Sequence, residues 1–131
     1  HSQLHERAVT LGRSDDPVIA DLLTQVYIGE HLIEWNGERN LHPSIGKLWR
    51  THQGRLAAQV AHLIGGPYAS AWEKSDEDAD YWAYHMLNCR GMSLGGGTDE
   101  IQRNTLGERA LGLPREPSTD REMPFRDLPR N

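Results

Sequence analysis

His42-Pro43-Ser44-Ile45-Gly46-Lys47-Leu48-Trp49-Arg50-Thr51-His52-Gln53-Gly54-Arg55-Leu56-Ala57-Ala58-Gln59-Val60-Ala61-His62-Leu63-Ile64-Gly65-Gly66-Pro67 is the stretch on which the fold class turns. Leu48, Leu56, Ala57, Val60, Ala61 and Ile64 recur at the spacing of one helix face, and Gly65-Gly66-Pro67 breaks the pattern. Gly46 and Gly54 weaken such a helix only slightly. Before it, Asp15-Asp16-Pro17 sets a capping carboxylate ahead of a first-turn proline. Ile19, Leu22, Leu23, Val26 and Ile33 then predict a helix over about 17 to 35, ended by Asn36-Gly37. Residues 2 to 12 read as the last turns of a helix stopped by Gly12.

Further along, Ser75-Asp76-Glu77-Asp78 offers an N-cap and first-turn acids for a helix carrying Tyr81, Trp82, Tyr84, Met86 and Leu87 towards Met92. After Gly95-Gly96-Gly97, Thr98 caps a last helix that holds Ile101, Leu106, Ala110 and Leu111 and stops at Gly112. No stretch alternates with a period of two, so the expected fold is all-α, most simply an antiparallel bundle with short connections over residues 1–113. Pro114, Pro117, Pro124 and Pro129 make 114–131 an extended tail.

Composition narrows the function. The 131 residues carry 19 acidic against 14 basic side chains, a formal charge of −5, which argues against a nucleic-acid surface and against an anionic membrane. Cys89 is the one cysteine and forms no internal disulfide, and no apolar run approaches the roughly 20 residues needed to cross a bilayer. A reduced, cytoplasmic setting is expected. The chain opens at His1 without Met, which points to processing or to membership of a longer polypeptide.

The seven histidines raise the question of a metal. A bundle di-metal centre uses Glu-x-x-His, and neither Glu30 nor Glu34 has a histidine three residues on, so no metal site is expected. His31 and Glu34 are one helical turn apart and read as an ordinary contact. Cys89 has a single neighbouring cation, Arg90, and reads as a packed thiol. Trp35, Trp49, Trp72 and Trp82 fall on different segments, as core or interface anchors do. Gly95-Gly96-Gly97-Thr98 puts bare backbone before a helix N-terminus, which suits an anion or a ribose-phosphate. Asp99 and Glu100 can take the same donors themselves, so a ligand loop and a plain capped helix start stand level on physical grounds.

Gly96-Gly97-Thr98-Asp99-Glu100-Ile101-Gln102-Arg103-Asn104, followed by Gly107-Glu108-Arg109-Ala110-Leu111-Gly112-Leu113-Pro114-Arg115-Glu116-Pro117, resembles the C-terminal signature of the acyl-CoA dehydrogenase family. Asp15-Asp16-Pro17-Val18-Ile19 and Ser44-Ile45-Gly46-Lys47-Leu48 are similar to bacterial members, and Leu63-Ile64-Gly65-Gly66 sits where the family has a second Gly-Gly loop. The resemblance spans about residues 2 to 117. It implies that the expected bundle is an antiparallel four-helix bundle, the family's C-terminal domain, with the N-terminal helical and middle β domains absent from this chain.

It also implies FAD as cofactor and oxidation of an acyl-CoA to the trans-2-enoyl-CoA, with electrons passing to an electron-transfer flavoprotein. By the same resemblance Thr98 contacts FAD, Asp99 and Glu100 adjoin it, and Gly97 lies near the substrate. His62, Leu63, Ile64, Gly65 and Gly66 match a loop that reaches the FAD of a neighbouring subunit, which implies a dimer, a tetramer or a heteromeric assembly. One branch of the family carries its catalytic glutamate where this chain has Gly96, so no catalytic residue is assigned here and the chain alone is expected to be inactive. His62 stands where the family usually has Gln, and Arg7-Ala8-Val9-Thr10-Leu11-Gly12 only faintly echoes its Arg-x-Thr-Phe-Gly flavin segment. The leading expectation is the C-terminal domain of a bacterial FAD-dependent acyl-CoA dehydrogenase, and those departures are the support for its rival, a structural subunit that keeps the bundle for assembly.

Overall fold

The computed structural model describes residues 1–71, 78–115 and 123–127, and among these there are helices and no strand. In chain order they are α1 (Ser2–Thr10), α2 (Pro17–Glu38), α3 (Pro43–Gly65), α4 (Tyr68–Ala71), α5 (Ala79–Asn88) and α6 (Asp99–Thr105). A wider helical turn, Leu106–Ala110, extends α6, and Gly91–Ser93 and Phe125–Asp127 form single 3-10 turns. The expected all-α class is observed.

Local chemistry starts and stops these helices largely where expected. Asp16 takes the extended backbone of an N-cap, and its carboxylate accepts from the amides of Val18 (2.9 Å) and Ile19 (3.4 Å). Arg13 donates to the same carboxylate at 3.0 Å; this bond, then the Val18 amide, holds Asp16 below the usual carboxylate range. A depressed carboxylate stabilises the fold above its unfolded value and loses that contribution as pH falls through the folded one. Asp16→Asn keeps the cap but cannot titrate, so the drop in the urea midpoint below about pH 4 should become shallower than in the parent.

Three boundaries differ from expectation. α2 runs through Gly37 and ends only at Glu38, because the residue in the left-handed region is Asn40 (φ 50°) and Leu41 still donates to the Asn36 carbonyl. α5 stops at Asn88, and Met92 lies in the following 3-10 turn. The last helix does not run evenly to Gly112: it widens at Leu106, whose carbonyl accepts from Leu111 five residues on. The helix start anticipated at Ser75-Asp76-Glu77, together with Trp72 and residues 116–122 and 128–131, lies outside the described residues.

α3 is the organising element. It touches α1, α2, α4, α5, α6 and the Gly91–Ser93 turn. Its face Val60, Ala61 and Ile64 meets Leu4 and Ala8 of α1, Ile19, Leu23 and Val26 of α2, and Trp82 of α5 in one apolar cluster. The four-residue link after α2 turns the chain back on itself, so Gly29 of α2 lies opposite Trp49 and Gln53 of α3. Trp49 donates its indole N–H to the Gly29 carbonyl at 2.9 Å. This antiparallel pairing closes the long side of the fold.

Candidate functional site

The glycine-rich segment lies between the Gly91–Ser93 turn and α6 and is shaped by its own backbone. The amides of Leu94 and Gly95 both donate to the Gly91 carbonyl at 3.0 Å, tightening the turn after α5. Gly96 (φ 70°) and Gly97 (φ 91°) then occupy the left-handed region, which a residue with a Cβ rarely adopts. A Cβ at Gly97 would stand 3.1 Å from Gln102 Nε2, whereas the space beside Gly96 is open. Gln102 spans the loop by donating to the Gly96 carbonyl at 2.7 Å.

Thr98 has the extended backbone of an N-cap, and its Oγ accepts from the Ile101 amide at 3.3 Å. Hydrogen bonds from its own amide and from the Thr98 hydroxyl hold Glu100 below the usual carboxylate range. The start of α6 is therefore capped by the chain's own groups. Among the described residues the amides of Gly96, Gly97 and Thr98 make no hydrogen bond. Three successive N–H groups without a partner, two of them on glycines that carry no side chain, leave donors open to an acceptor.

Asp99 faces the other way. Its side chain is 7% exposed, and its carboxylate accepts from Lys47 Nζ at 2.6 Å and Arg55 Nη2 at 3.4 Å. The Lys47 bond holds the Asp99 carboxyl below its ordinary range against the opposing pull of burial. Lys47, Thr51 and Arg55 escaped the sequence reading as functional residues. Their spacing of four was the available signal, since it puts all three on one face of α3.

The second candidate motif lies at the far end of α3. Gly66 closes the helix, its amide donating to the carbonyls of His62 (3.1 Å) and Leu63 (3.2 Å). Leu63 is exposed, while Ile64 is 1% exposed and belongs to the core. His62 lines an apolar groove of about 190 Å³ with Ala61, Ala69, Trp82, Met86 and Leu87. From the Lys47–Arg55 row that faces Asp99 to His62 the helix climbs roughly 10–22 Å at its usual rise per residue. Thr98, Gly97 and Glu100 thus come together at one end, and His62, Leu63, Gly65 and Gly66 at the other.

The remaining candidates have local explanations. Cys89 is buried, its thiol donating to the Met86 carbonyl at 3.2 Å. His31 and Glu34 meet at 3.2 Å on the surface of α2. Among the described residues no group of three or more His, Cys, Asp or Glu side chains is arranged to hold a metal. No helix there is long and apolar enough to cross a membrane.

Comparison with known proteins gives a consistent relationship. The chain is 32% identical to a protein of Mycolicibacterium smegmatis and 33% identical to one of Mycobacterium tuberculosis, both named acyl-CoA dehydrogenase IpdE1. Each match takes in 88% of this chain, but only 31% and 32% of the respective relative. The chain therefore spans about a third of the length of the curated relatives it matches. No protein-family model matches it, and no solved structure does.

Proposed function

From a chain that is a sequence relative of acyl-CoA dehydrogenases over about a third of their length, we propose that it is the C-terminal helical domain of an FAD-dependent enzyme of that kind. The whole enzyme would convert an acyl-CoA to the trans-2-enoyl-CoA and pass its electrons to an electron-transfer flavoprotein. FAD supplies the hydride acceptor when bound. What this chain offers it is the loop at the start of α6.

The observation that carries this reading is the run of uncommitted amides at Gly96, Gly97 and Thr98 on a backbone free of side chains. A flavin ring presents carbonyl oxygens and ring nitrogens that accept hydrogen bonds, and it needs flat, close access to such donors. Thr98 keeps its place at the rim by capping α6, and Gln102 holds the Gly96 carbonyl back. Neither acid after Thr98 is free to act as the base that removes the substrate's α proton. Asp99 is held by two cations, and Glu100 is bound to the helix start. Gly96 has no side chain, so the base would come from another segment or subunit.

The roughly 10–22 Å along α3 between the Lys47–Arg55 row and His62 supports separate contacts for the two motifs, with His62, Leu63, Gly65 and Gly66 meeting the FAD of a neighbouring copy. Exposed Leu87 (75%), Leu94 (68%) and Leu111 (73%) supply apolar surface for such an assembly. The same surface favours a second reading, a non-catalytic assembly subunit or companion chain of a heteromeric dehydrogenase.

Titration of FAD into the purified protein, followed by flavin fluorescence and absorbance, separates the two. The dehydrogenase reading expects saturable binding that Gly97→Val weakens about tenfold or more, because the new side chain meets Gln102 and strains a left-handed backbone. It also expects no acyl-CoA dehydrogenase turnover by this chain alone. Saturable binding unchanged by Gly97→Val would exclude the loop as its site. A multimer that takes up no FAD would support the assembly subunit instead.

A further inference from the structure

Three side chains on one face of α3, Lys47, Thr51 and Arg55, each reach the segment that carries the glycine loop. Lys47 Nζ donates to the Ser93 carbonyl at 3.4 Å as well as to Asp99, so one ammonium grips both sides of Leu94–Thr98. Thr51 Oγ gives its proton to the Lys47 carbonyl at 3.0 Å and lies 3.4 Å from the Met92 carbonyl, and Arg55 reaches the second oxygen of Asp99. Gly54 leaves room beside this row: a Cβ there would stand 2.9 Å from Met92 Sδ.

We propose that Lys47, Thr51 and Arg55 are positioning residues: through Asp99 and the carbonyls of Met92 and Ser93 they fix the glycine loop in the one conformation that presents its free amides outward. In this role the two cations act through the loop. Gly96 and Gly97 have little conformational preference of their own, so a loop built from them needs an external restraint to hold a geometry. Lys47 is well placed for this because it is 17% exposed and its bond to Asp99 is shielded from solvent. The service to FAD rests on the proposed function, whereas the restraint on the loop does not.

Amide hydrogen exchange on the purified protein, combined with FAD titration, tests both parts. Lys47→Met should speed exchange at Leu94, Gly95, Ile101 and Gln102 by about tenfold or more, the loss expected when a charged hydrogen bond is removed. Exchange in α2 should stay as in the parent, and Lys47→Arg should restore most of the protection. FAD affinity should fall in parallel in Lys47→Met and recover in Lys47→Arg. Loop exchange unchanged in Lys47→Met, or loosening equally spread over α2, would overturn the restraint. A loosened loop that binds FAD as tightly as before would overturn the positioning role. If the parent binds no FAD, the proposed function fails while exchange still decides the restraint. Should Lys47→Met not fold, Arg55→Gln gives the same readout with a smaller expected change of about threefold, and its absence counts equally against the proposal.

Discussion

Ile64→Ala is expected to lower the unfolding free energy by about 2–5 kcal/mol, read as a shift in the urea midpoint at unchanged slope. Ile64 is 1% exposed and packs in the cluster that joins α1, α2, α3 and α5. Removing three of its carbons takes away transfer free energy and leaves a void, because Leu4, Leu23, Val60 and Trp82 are held by their own helices and collapse only partly. The side chain lies in the middle of the His62–Gly66 motif, between exposed Leu63 and the helix-ending glycines. A substitution there that reduced cofactor binding would therefore report on the core. Leu63→Ala, on the exposed side, should leave the midpoint within about 0.5 kcal/mol of the parent. A midpoint unchanged in Ile64→Ala would refute this account of the core.

The second large effect is expected at the α2–α3 contact. At Gly29 a Cβ would overlap the amide end of Gln53, so the two side chains cannot share the site as it stands. Gly29→Val forces the buried Gln53 amide out of its place between the helices, at a cost of about 1–3 kcal/mol. The distinguishing result is the rescue. In the double variant Gly29→Val, Gln53→Ala the new side chain occupies the space the amide vacates, so the combined loss should be smaller than the sum of the single losses by about 1 kcal/mol. Additive losses in the two-variant cycle would show that the clash is not with Gln53.

Much of this was legible in the chain itself, for local reasons. Asp16-Pro17, His42-Pro43 and Thr98 mark helix starts because each puts a side-chain acceptor near orphan amides, and the structure shows all three acceptors in use. Gly66 and Gly97 were legible because positive φ selects glycine. What stayed hidden depends on contacts far apart in sequence. The partner that turns Asp99 inward is 52 residues away, so in the sequence the acid is indistinguishable from one more capping or cofactor-facing group. The continuation of α2 through Gly37 was hidden for a different reason. Glycine only permits a left-handed stop, and the chain took it three residues later, at Asn40.

α3 also acts as a ruler and a protractor. Its row at Lys47, Thr51 and Arg55 aims the glycine loop, its row at Val60, Ala61 and Ile64 sets the core, and His62 and Gly66 end it. Inserting a single residue between Arg55 and Val60 would lengthen the helix by only about 1.5 Å but rotate one half about 100° against the other. Every motif would survive in sequence, yet the loop and the core could no longer be satisfied together. Insertions and deletions should therefore be tolerated in the links before and after this helix and excluded from its middle, however conservative they look residue by residue.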